Sequence, residues 1–308
     1  MFTPESFVSK EIQKIKREVL GKAVIAVSGG IDSTVAAKVA SEALGSEVLA
    51  IYVDTGLMRL DEEIDVQKTL ADLSINHKIV KEEELFLDRL KGVTDPETKR
   101  KMIGKTFIDV FEREAKDFGA KYLVQGTIAP DWIESGGGLR DTIKSHHNVG
   151  GLPDVVNLKI VEPLRDLYKD EVRKIADYYG IPKMRQPFPG PGLAVRIIGE
   201  VTRDRVDLLR KATSILEKNV SKFEEVPWQY FVVLLADRST GVHGDRRVYG
   251  STVAIRCVNS LDGMTANFTP IPLEMLAKIS REITNGIPEI SRVVYDITDK
   301  PPATIEWE

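Results

Sequence analysis

Residues 23–34 read AVIAVSGGIDST, and this stretch decides the fold that the sequence predicts. Its first five residues, 23–27, are apolar and rich in Val and Ile, which is typical of a buried parallel strand. The run breaks at a Ser-Gly-Gly loop (28–30), and a helical pattern of apolar residues follows until Gly45. This order predicts an anion site, because glycines let backbone N–H groups approach a phosphate and a helix N-terminus favours negative charge.

The loop does not match two common phosphate-binding motifs. It lacks the Lys and the second spaced Gly of G-x-x-x-x-G-K-[ST], and it lacks the G-x-G-x-x-G of dinucleotide sites. The segment SGGIDS (28–33) instead resembles the pyrophosphate-binding loop of the N-type ATP pyrophosphatases, which cleave ATP between the α and β phosphates. In this interpretation the hydroxyls of Ser28 and Ser33 and the loop amides hold pyrophosphate, and Asp32 positions Mg²⁺. The alternative is a tight strand-to-helix turn in which Asp32 only interacts with the helix dipole.

The composition is that of an ordinary globular protein, with 42% hydrophobic and 29% charged residues in a length of 308 that favours two domains. The formal charge of −4 gives no electrostatic footprint for nucleic acid, and no apolar stretch is long enough to cross a bilayer. Since no signal peptide opens the sequence, we expect a cytoplasmic protein without nucleic-acid or membrane partners. The one cysteine, Cys257, lies in an apolar run, which predicts a small buried side chain rather than a disulfide.

Strands and helices alternate over the first part of the chain, which predicts an α/β fold with a mostly parallel sheet flanked by helices. The strand expected at 47–53 is followed by Asp54 and Arg59. Ligands lie beyond the carboxyl ends of such strands, so both side chains are expected at one crevice. The segment QPFPGPG (186–192) predicts a rigid connector. Beyond it we expect a small α+β domain with helices at 203–216 and 273–285 and strands at 229–236, 251–258 and 291–297.

The segment 128–152 is the least regular part of the sequence and contains Lys144 followed by a serine, His146 and His147. Long loops of this kind are usually functional or disordered, and we interpret this one as a mobile lid whose Lys144 and histidines contact phosphate. A zinc site is disfavoured, because adjacent histidines point apart and no Cys or carboxylate stands at ligand spacing. The basic run KRKMIGK (99–105) is either a solvated helix face or a second phosphate contact.

Several long motifs in one order carry a more specific resemblance. Besides SGGIDS they are VDTGLMR (53–59), RKMIGKTF (100–107), QGTIAPDWIES (125–135), KSHHNVGGLP (144–153), EPLRDLYKDEVR (162–173), QPFPGPGLAVR (186–196) and DITDKPPATIEWE (296–308). With these motifs the chain resembles the GMP synthase (glutamine-hydrolysing) family, specifically the ATP-pyrophosphatase subunit of its two-subunit type. The resemblance implies an N-type ATP pyrophosphatase domain at 1–188, with the adenine nucleotide alpha hydrolase-like fold, and a C-terminal α+β dimerisation and XMP-binding domain at 189–308.

The resemblance also implies a reaction that uses ATP and Mg²⁺. The xanthine O2 of XMP attacks the α-phosphate of ATP, pyrophosphate leaves, and ammonia displaces AMP from the adenylyl-XMP intermediate to give GMP. The implied catalytic residues are Asp32, Ser33 and Lys144, with Asp32 also the metal ligand. The implied ATP contacts are Ser28, Gly29, Gly30, Ile31, Asp32, Ser33, Val53 and Gly126. The implied XMP contacts are Arg59, Arg196, Lys300, Ile305 and Glu306, with Ile305 acting through its backbone.

Many members of this family carry a glutamine amidotransferase domain with a catalytic Cys in front of the pyrophosphatase module, whereas here that module begins almost at the first residue. Cys257 matches no such nucleophile. We therefore expect the chain to use free ammonia, or ammonia supplied by a separate glutaminase subunit. The resemblance further implies a homodimer formed through the second domain.

Three alternatives stay open at this point. A tRNA-modifying, thiolase-type pyrophosphatase is disfavoured by the single cysteine and the acidic net charge. A non-catalytic adenine-nucleotide-binding regulator is disfavoured by Asp32 and by the long polar lid. NAD synthetase is disfavoured because the segments KPPATIEWE and GPGLAV have no role in it.

Overall fold

The computed structural model describes residues 2–130, 158–182, 186–261 and 263–308, and this part of the chain forms two compact units. The first unit consists of Met1–Gly56, Asp61–Glu83 and Gly104–Arg185, and the second of Leu57–Leu60, Glu84–Ile103 and Gln186–Glu308. Lys144, His146 and His147 lie outside the described residues, so the interpretation of their segment as a lid stays a prediction.

Helices and strands alternate in the first unit and are followed by a long hairpin in the second. The described helices are α1 (Pro4–Glu18), α2 (Ile31–Leu44), α3 (Glu62–Asp72), α4 (Glu83–Leu90), α5 (Pro96–Phe118), α6 (Lys169–Tyr178), α7 (Arg203–Val220) and α8 (Leu273–Gly286). The described strands are β1 (Ala23–Ala26), β2 (Val48–Asp54), β3 (His77–Lys81), β4 (Tyr122–Val124), β5 (Lys159–Val161), β6 (Gln229–His243), β7 (Arg246–Asn259), β8 (Asn267–Phe268) and β9 (Ile290–Asp296).

A five-stranded parallel sheet organises the first unit, in the order β3-β2-β1-β4-β5. The predicted α/β fold with a mostly parallel sheet flanked by helices is therefore confirmed. Strands β1 and β2 are buried over almost their whole length, as central strands of such a sheet must be. Their core cluster contains Ile25 and Tyr52, together with Val35 of α2, Ile15 of α1 and Ile175 of α6. This packing fixes the end of β1, where the anion loop begins.

The second unit is the small α+β region that the sequence predicts. Strands β6 and β7 form an antiparallel hairpin, and β7 also pairs with β8 in antiparallel and with β9 in parallel orientation. Helix α7 packs against β6, and α8 packs against α7 and β9. The buried side chains of this unit include Leu209 and Leu216 of α7, Phe231 of β6, Ile255 of β7 and Ile279 of α8.

The hairpin is longer than the sequence indicates. The apolar pattern predicts strands at 229–236 and 251–258, whereas β6 continues to His243 and β7 begins at Arg246. Most residues between 236 and 249 are exposed, so this part of the hairpin lacks the apolar alternation from which a strand is predicted.

The two compact units are discontinuous in sequence. Residues 57–60 and 84–103 belong to the second unit although they precede the connector at 186–192. The functional division into domains 1–188 and 189–308 stays a prediction.

The described helices pack one side against the core and expose the other. Across the ranges that the structure covers, none combines the length and the apolar character that crossing a membrane requires.

Candidate active site

The loop after β1 leads directly into the N-terminus of α2. Gly30 is the N-cap of α2, with an extended backbone and no side chain to cap the first N–H groups. The Thr34 N–H donates to the Gly30 carbonyl at 3.1 Å and begins the hydrogen bonding of the helix. The N–H groups at 31–33 precede this bond and point toward the end of the helix, which is where anions bind.

Two serine hydroxyls hold the loop in shape. Ser33 Oγ donates to the Gly30 carbonyl at 3.1 Å and accepts from the Ser28 N–H at 3.3 Å. Ser28 Oγ accepts from the Gly30 N–H at 3.3 Å and lies 3.3 Å from Ser33 Oγ. Contacts of 3.3 Å are longer than most hydrogen bonds, so both hydroxyls can exchange them for the oxygen atoms of a ligand at small cost.

Two glycines allow close approach of the backbone at this end of the sheet. Gly29 has a φ of +77°, and a Cβ there would lie 2.9 Å from Val66 Cγ2. Gly126 follows β4, and a Cβ there would lie 3.1 Å from the backbone of Asp32 and Ser33. The loop after β4 therefore lies against the first turn of α2, and both meet beyond the end of β1.

The strand order makes this corner the switch point of the sheet. From β1 the chain proceeds to β2 on one side, whereas β4 pairs with the other side of β1. Ligands of open α/β sheets bind beyond the strand ends at such a point. Val53 lies near the end of β2, beside β1, with a side chain only 4% exposed. The structure thus brings together Ser28, Gly29, Gly30, Ile31, Asp32, Ser33 and Gly126.

Asp32 lies in the first turn of α2, where a carboxylate interacts favourably with the helix dipole. Carboxylate oxygens are also the ligands that Mg²⁺ prefers, and nucleotide-bound Mg²⁺ is usually held by one or two carboxylates together with phosphate oxygens. Within the described residues, no group of three or more His, Cys, Asp or Glu is arranged to hold a metal ion. The donors at this corner therefore fit a Mg²⁺ ion that arrives with a nucleotide.

In the second unit, Arg196 and Glu306 form a largely buried ion pair. Arg196 Nε and Nη2 donate to the two Glu306 carboxylate oxygens at 2.9 and 2.7 Å. Arg196 has no exposed surface, and its guanidinium lies 4.1 Å from the centroid of the Phe231 ring. Gln229 Nε2 donates to the same carboxylate at 3.0 Å. Two of the predicted XMP residues are therefore in direct contact with each other.

Arg59, a third predicted XMP residue, is also buried in the second unit. Its Nε lies 2.9 Å from Glu217 Oε1, and its Nη2 donates to the Gln186 carbonyl at 2.9 Å. Its guanidinium carbon lies 4.2 Å from the centroid of the Phe188 ring. Asp54 belongs to the first unit, so the expectation that Asp54 and Arg59 share a crevice stays a prediction, as does the XMP contact of Arg59.

Lys300 and Ile305 lie on the same C-terminal segment in different surroundings. Lys300 pairs through its backbone with Ala266, and its Nζ donates to the Gly263 carbonyl at 2.7 Å. The Ile305 side chain packs on a small apolar cluster, and its carbonyl accepts from Arg256 Nε at 3.3 Å. The described contacts thus connect Ile305 to its neighbour in the ion pair and leave Lys300 apart from it.

Arg256 is a buried cation that the sequence patterns did not assign to the site. From β7 its Nη1 lies 2.9 Å from Asp296 Oδ2 and donates to the Thr298 carbonyl at 2.6 Å, and its Nη2 donates to the Thr304 carbonyl at 2.9 Å. The sequence does hold a signal, since a charged residue in the middle of the apolar run 253–258 must find buried partners when the strand is covered.

Cys257 lies on β7 with no exposed surface. Burial raises the pKa of its thiol to about 12, so the thiol is neutral at ordinary pH. A neutral, buried thiol is not a nucleophile, and the predicted role as a small buried side chain is confirmed.

Sequence comparisons relate the chain to known proteins. The family model described as NAD synthase matches residues 3–100, which include the loop after β1, and the one described as GMP synthase C terminal domain matches residues 216–307. Several relatives bear names that designate one subunit of glutamine-hydrolyzing GMP synthase. One from Thermoplasma volcanium is 58% identical over 305 residues and covers 98% of both chains. Another from Pyrococcus furiosus is 54% identical over 310 residues, covering 99% of this chain and 97% of the relative. A third, from Methanocaldococcus jannaschii, is 53% identical over 315 residues and covers 100% of both chains.

The chain belongs to the GMP synthase family, in the branch that these single-subunit names designate. Membership confirms the resemblance carried by the sequence motifs. The thiolase and regulator interpretations are not favoured by these relatives, whose shared name extends over nearly the whole chain. The NAD synthase match is confined to residues 3–100, the part of the chain that holds the anion loop, and is consistent with an ATP-pyrophosphatase fold there.

Proposed function

We propose that this chain is the ATP-pyrophosphatase subunit of a two-subunit GMP synthase, a carbon–nitrogen ligase that aminates XMP to GMP at the expense of ATP. The observation that carries the proposal is the anion site after β1, where two serine hydroxyls, two glycines and helix N–H groups meet. Membership of the GMP synthase family, among relatives named as one subunit of that enzyme, supports the reaction and the need for a second subunit.

ATP binds in this proposal with its β- and γ-phosphates on the loop 28–33. The N–H groups at the start of α2 and the Ser28 and Ser33 hydroxyls hold the phosphate oxygens. The backbone at Val53 and Gly126 lies near the adenosine. The proposal is supported by the position of this loop at the switch point of the sheet, between the ends of β1 and β4.

Asp32 holds Mg²⁺ together with the phosphate oxygens in this proposal. When bound, the ion neutralises charge on the departing pyrophosphate. Removal of Mg²⁺ with EDTA is expected to abolish pyrophosphate release, and added Mg²⁺ is expected to restore it.

The chemistry proceeds in two displacements. First, the O2 atom of XMP forms a bond to the α-phosphorus, and the bond to the β-phosphate oxygen breaks. Second, ammonia forms a bond to C2 and gives up protons to water, and the C2–O2 bond breaks so that AMP leaves with that oxygen. The chain binds and orients the reactants, and no covalent nucleophile is needed.

XMP is bound in the second unit in this proposal. Arg59 and Arg196 contribute positive charge, and the Ile305 backbone, Lys300 and Glu306 contribute polar contacts. The ion pair of Arg196 with Glu306 supports this role, because two hydrogen bonds from the arginine and one from Gln229 hold the carboxylate in one orientation. Lys144, proposed as a catalytic residue, lies outside the described residues.

The proposed partners follow from the reaction and from the relatives. Ammonia comes from solution or from a separate glutaminase subunit, which agrees with relatives that are named both as glutamine-hydrolyzing and as one subunit of an enzyme. We also propose a cytoplasmic homodimer formed through the second unit. Light scattering is expected to give twice the chain mass of 34.3 kDa, and a monomer mass at micromolar concentration would contradict the dimer.

The test is a stoichiometry measurement on the purified chain. With ATP, Mg²⁺, XMP and ammonium chloride we expect AMP, pyrophosphate and GMP in equal amounts, all dependent on XMP. With XMP labelled by ¹⁸O at O2, the label is expected in AMP. Pyrophosphate release without XMP, or AMP without label, would contradict the proposal.

A further inference from the structure

The tail, defined here as residues 297–308, carries three of the proposed XMP residues, and its last side chain is fastened by a lysine far away in sequence. Lys99 lies on α5 with no exposed surface, and its Nζ donates to the Glu308 carboxylate. The Gly199 N–H donates to the same carboxylate at 3.2 Å, and Arg100 donates to the Glu308 main-chain oxygen. All of these residues belong to the second unit.

Lys99 has no donor left for a phosphate. Besides Glu308 it donates to the Ile197 carbonyl at 2.6 Å and to the Ala194 carbonyl at 3.4 Å. An ammonium group has three N–H donors, and these three acceptors account for them. Of the two interpretations of the basic run 99–105, neither describes this residue, since it is neither solvated nor directed at a ligand.

The acceptors of Lys99 frame the ion pair of the proposed XMP site. Ala194 and Ile197 stand on either side of Arg196 in sequence, and Glu308 stands two residues beyond Glu306. One ammonium group therefore joins the segment that carries the arginine to the segment that carries its carboxylate partner.

Burial makes this connection sensitive to change. Burial lowers the pKa of Lys99, whereas Glu308 acts in the opposite direction and favours the charged form. Removing one member of a buried charge pair is strongly unfavourable, because the other charge is left without compensation. Loss of Lys99 therefore releases Glu308, and the tail with it.

We propose that Lys99 is a positioning residue for XMP, which aligns Arg196 with Glu306 by holding the Arg196 segment and the end of the tail together. The inference rests on the proposed function of the Arg196–Glu306 pair in XMP binding. Lys99 does not touch the substrate. Its effect is confined to the nucleotide that the second unit binds, and ATP binding at the loop after β1 is independent of it.

The test compares Lys99→Met and Glu308→Gln with a control, Lys211→Met, which removes an exposed lysine from α7. The measurements are the KM values for XMP and ATP in the ammonium assay, XMP binding by calorimetry, and thermal unfolding. In Lys99→Met we expect the KM and the Kd for XMP to rise roughly tenfold or more, with the KM for ATP within about twofold of wild type. Glu308→Gln is expected to show a smaller rise of the same kind, and Lys211→Met none.

Glu308→Gln also carries the test if Lys99→Met does not fold, because Lys99 then keeps its two carbonyl acceptors. Equal rises in the KM for XMP and for ATP would indicate a general structural role and overturn the proposal. Unchanged XMP binding in Lys99→Met, or in Glu308→Gln if only that variant folds, would overturn it as well. A wild-type chain that does not bind XMP would instead contradict the proposed function, on which the positioning role depends.

Discussion

Three positively charged side chains without exposed surface, Arg196, Arg256 and Lys99, all donate to the C-terminal tail. Buried charges are tolerated only when they are paired and hydrogen-bonded, so each must have a specific acceptor. At the scale of single residues the second unit is therefore organised by polar contacts around one segment. In the first unit, the comparable features are the two serine hydroxyls and Asp32 at the start of α2.

Asp32→Asn removes the carboxylate that we assign to Mg²⁺ while keeping the size of the side chain. We expect XMP-dependent pyrophosphate release to fall by roughly 10²–10³-fold, the range found when one preorganised electrostatic contact is lost. The control is Asp72→Asn, at the exposed end of α3. Turnover of Asp32→Asn equal to that of the control would remove Asp32 from the proposed mechanism.

The Cys257 thiol is expected to resist modification in the folded chain, because burial raises its pKa to about 12 and denies access to reagents. A coloured thiol reagent at pH 8 is expected to find no reactive thiol in the native chain and one per chain after denaturation, since the sequence has a single cysteine. Rapid reaction of the native chain would show that β7 opens readily.

The same burial gives a pH dependence with a definite sign. The folded thiol keeps its proton up to about pH 12, whereas an unfolded thiol loses it above about pH 8.5. Its contribution to the free energy of unfolding is therefore fully present at neutral pH and declines as the pH rises above about 8.5. Comparison of wild type with Cys257→Ala in urea at pH 7 and pH 10 measures this contribution.

The strand–loop–helix element from β1 to α2 could be predicted from sequence because its determinants are local. An apolar run, two glycines and a helical stripe lie within about twenty residues, and the structure has all three where the sequence predicts them. The long arm of the β6–β7 hairpin could not be predicted, because exposed strands carry no apolar alternation. Residues 57–60 and 84–103 could not be assigned to the second unit, since their partners are distant in sequence.

The same distinction applies to the candidate sites. The resemblance pointed to Arg196 and Glu306, but their pairing became visible only in the structure, because 110 positions separate them. Arg256 carried a usable signal in its apolar surroundings. Lys99 carried none, because it stands beside two other basic residues and its burial depends on Ala194, Ile197 and Glu308.

Gly29 and Gly119 provide a matched pair for testing the loop. Their φ angles are +77° and +75°, so an alanine at either position is strained by about 1–2 kcal/mol. A Cβ at Gly29 would also lie 2.9 Å from a Val66 methyl, whereas nothing lies within 4 Å at Gly119. We expect both variants to lose stability, and only Gly29→Ala to raise the KM for ATP, by roughly tenfold or more, because the loop is displaced. Equal KM values for ATP would show that the loop does not bind it.

The whole molecule combines two compact units with a modest net charge of −4 and a single, buried cysteine. A glutaminase of the kind found in this family needs a catalytic cysteine, and Cys257 cannot serve as one because it is buried and neutral. At this scale the chain's single cysteine agrees with a division of labour, in which this chain activates XMP and another releases ammonia from glutamine.

Ammonium salts are therefore expected to support GMP formation by this chain, and glutamine alone is not. Cys257→Ala is expected to retain the ammonium-dependent rate within about twofold, since a thiol away from the reacting atoms contributes to packing only. The measurement is GMP formation with each nitrogen source at equal concentration. Glutamine-dependent GMP formation by the pure chain would contradict the two-subunit interpretation.

A crystal structure of the chain with Mg²⁺ and a non-hydrolysable ATP analogue bears directly on the role of the loop 28–33. We expect the β- and γ-phosphate oxygens within hydrogen-bonding distance of the N–H groups at the start of α2 and of the Ser28 and Ser33 hydroxyls, with Asp32 beside the ion. A triphosphate bound at any other part of the chain would contradict this account of how the protein uses ATP.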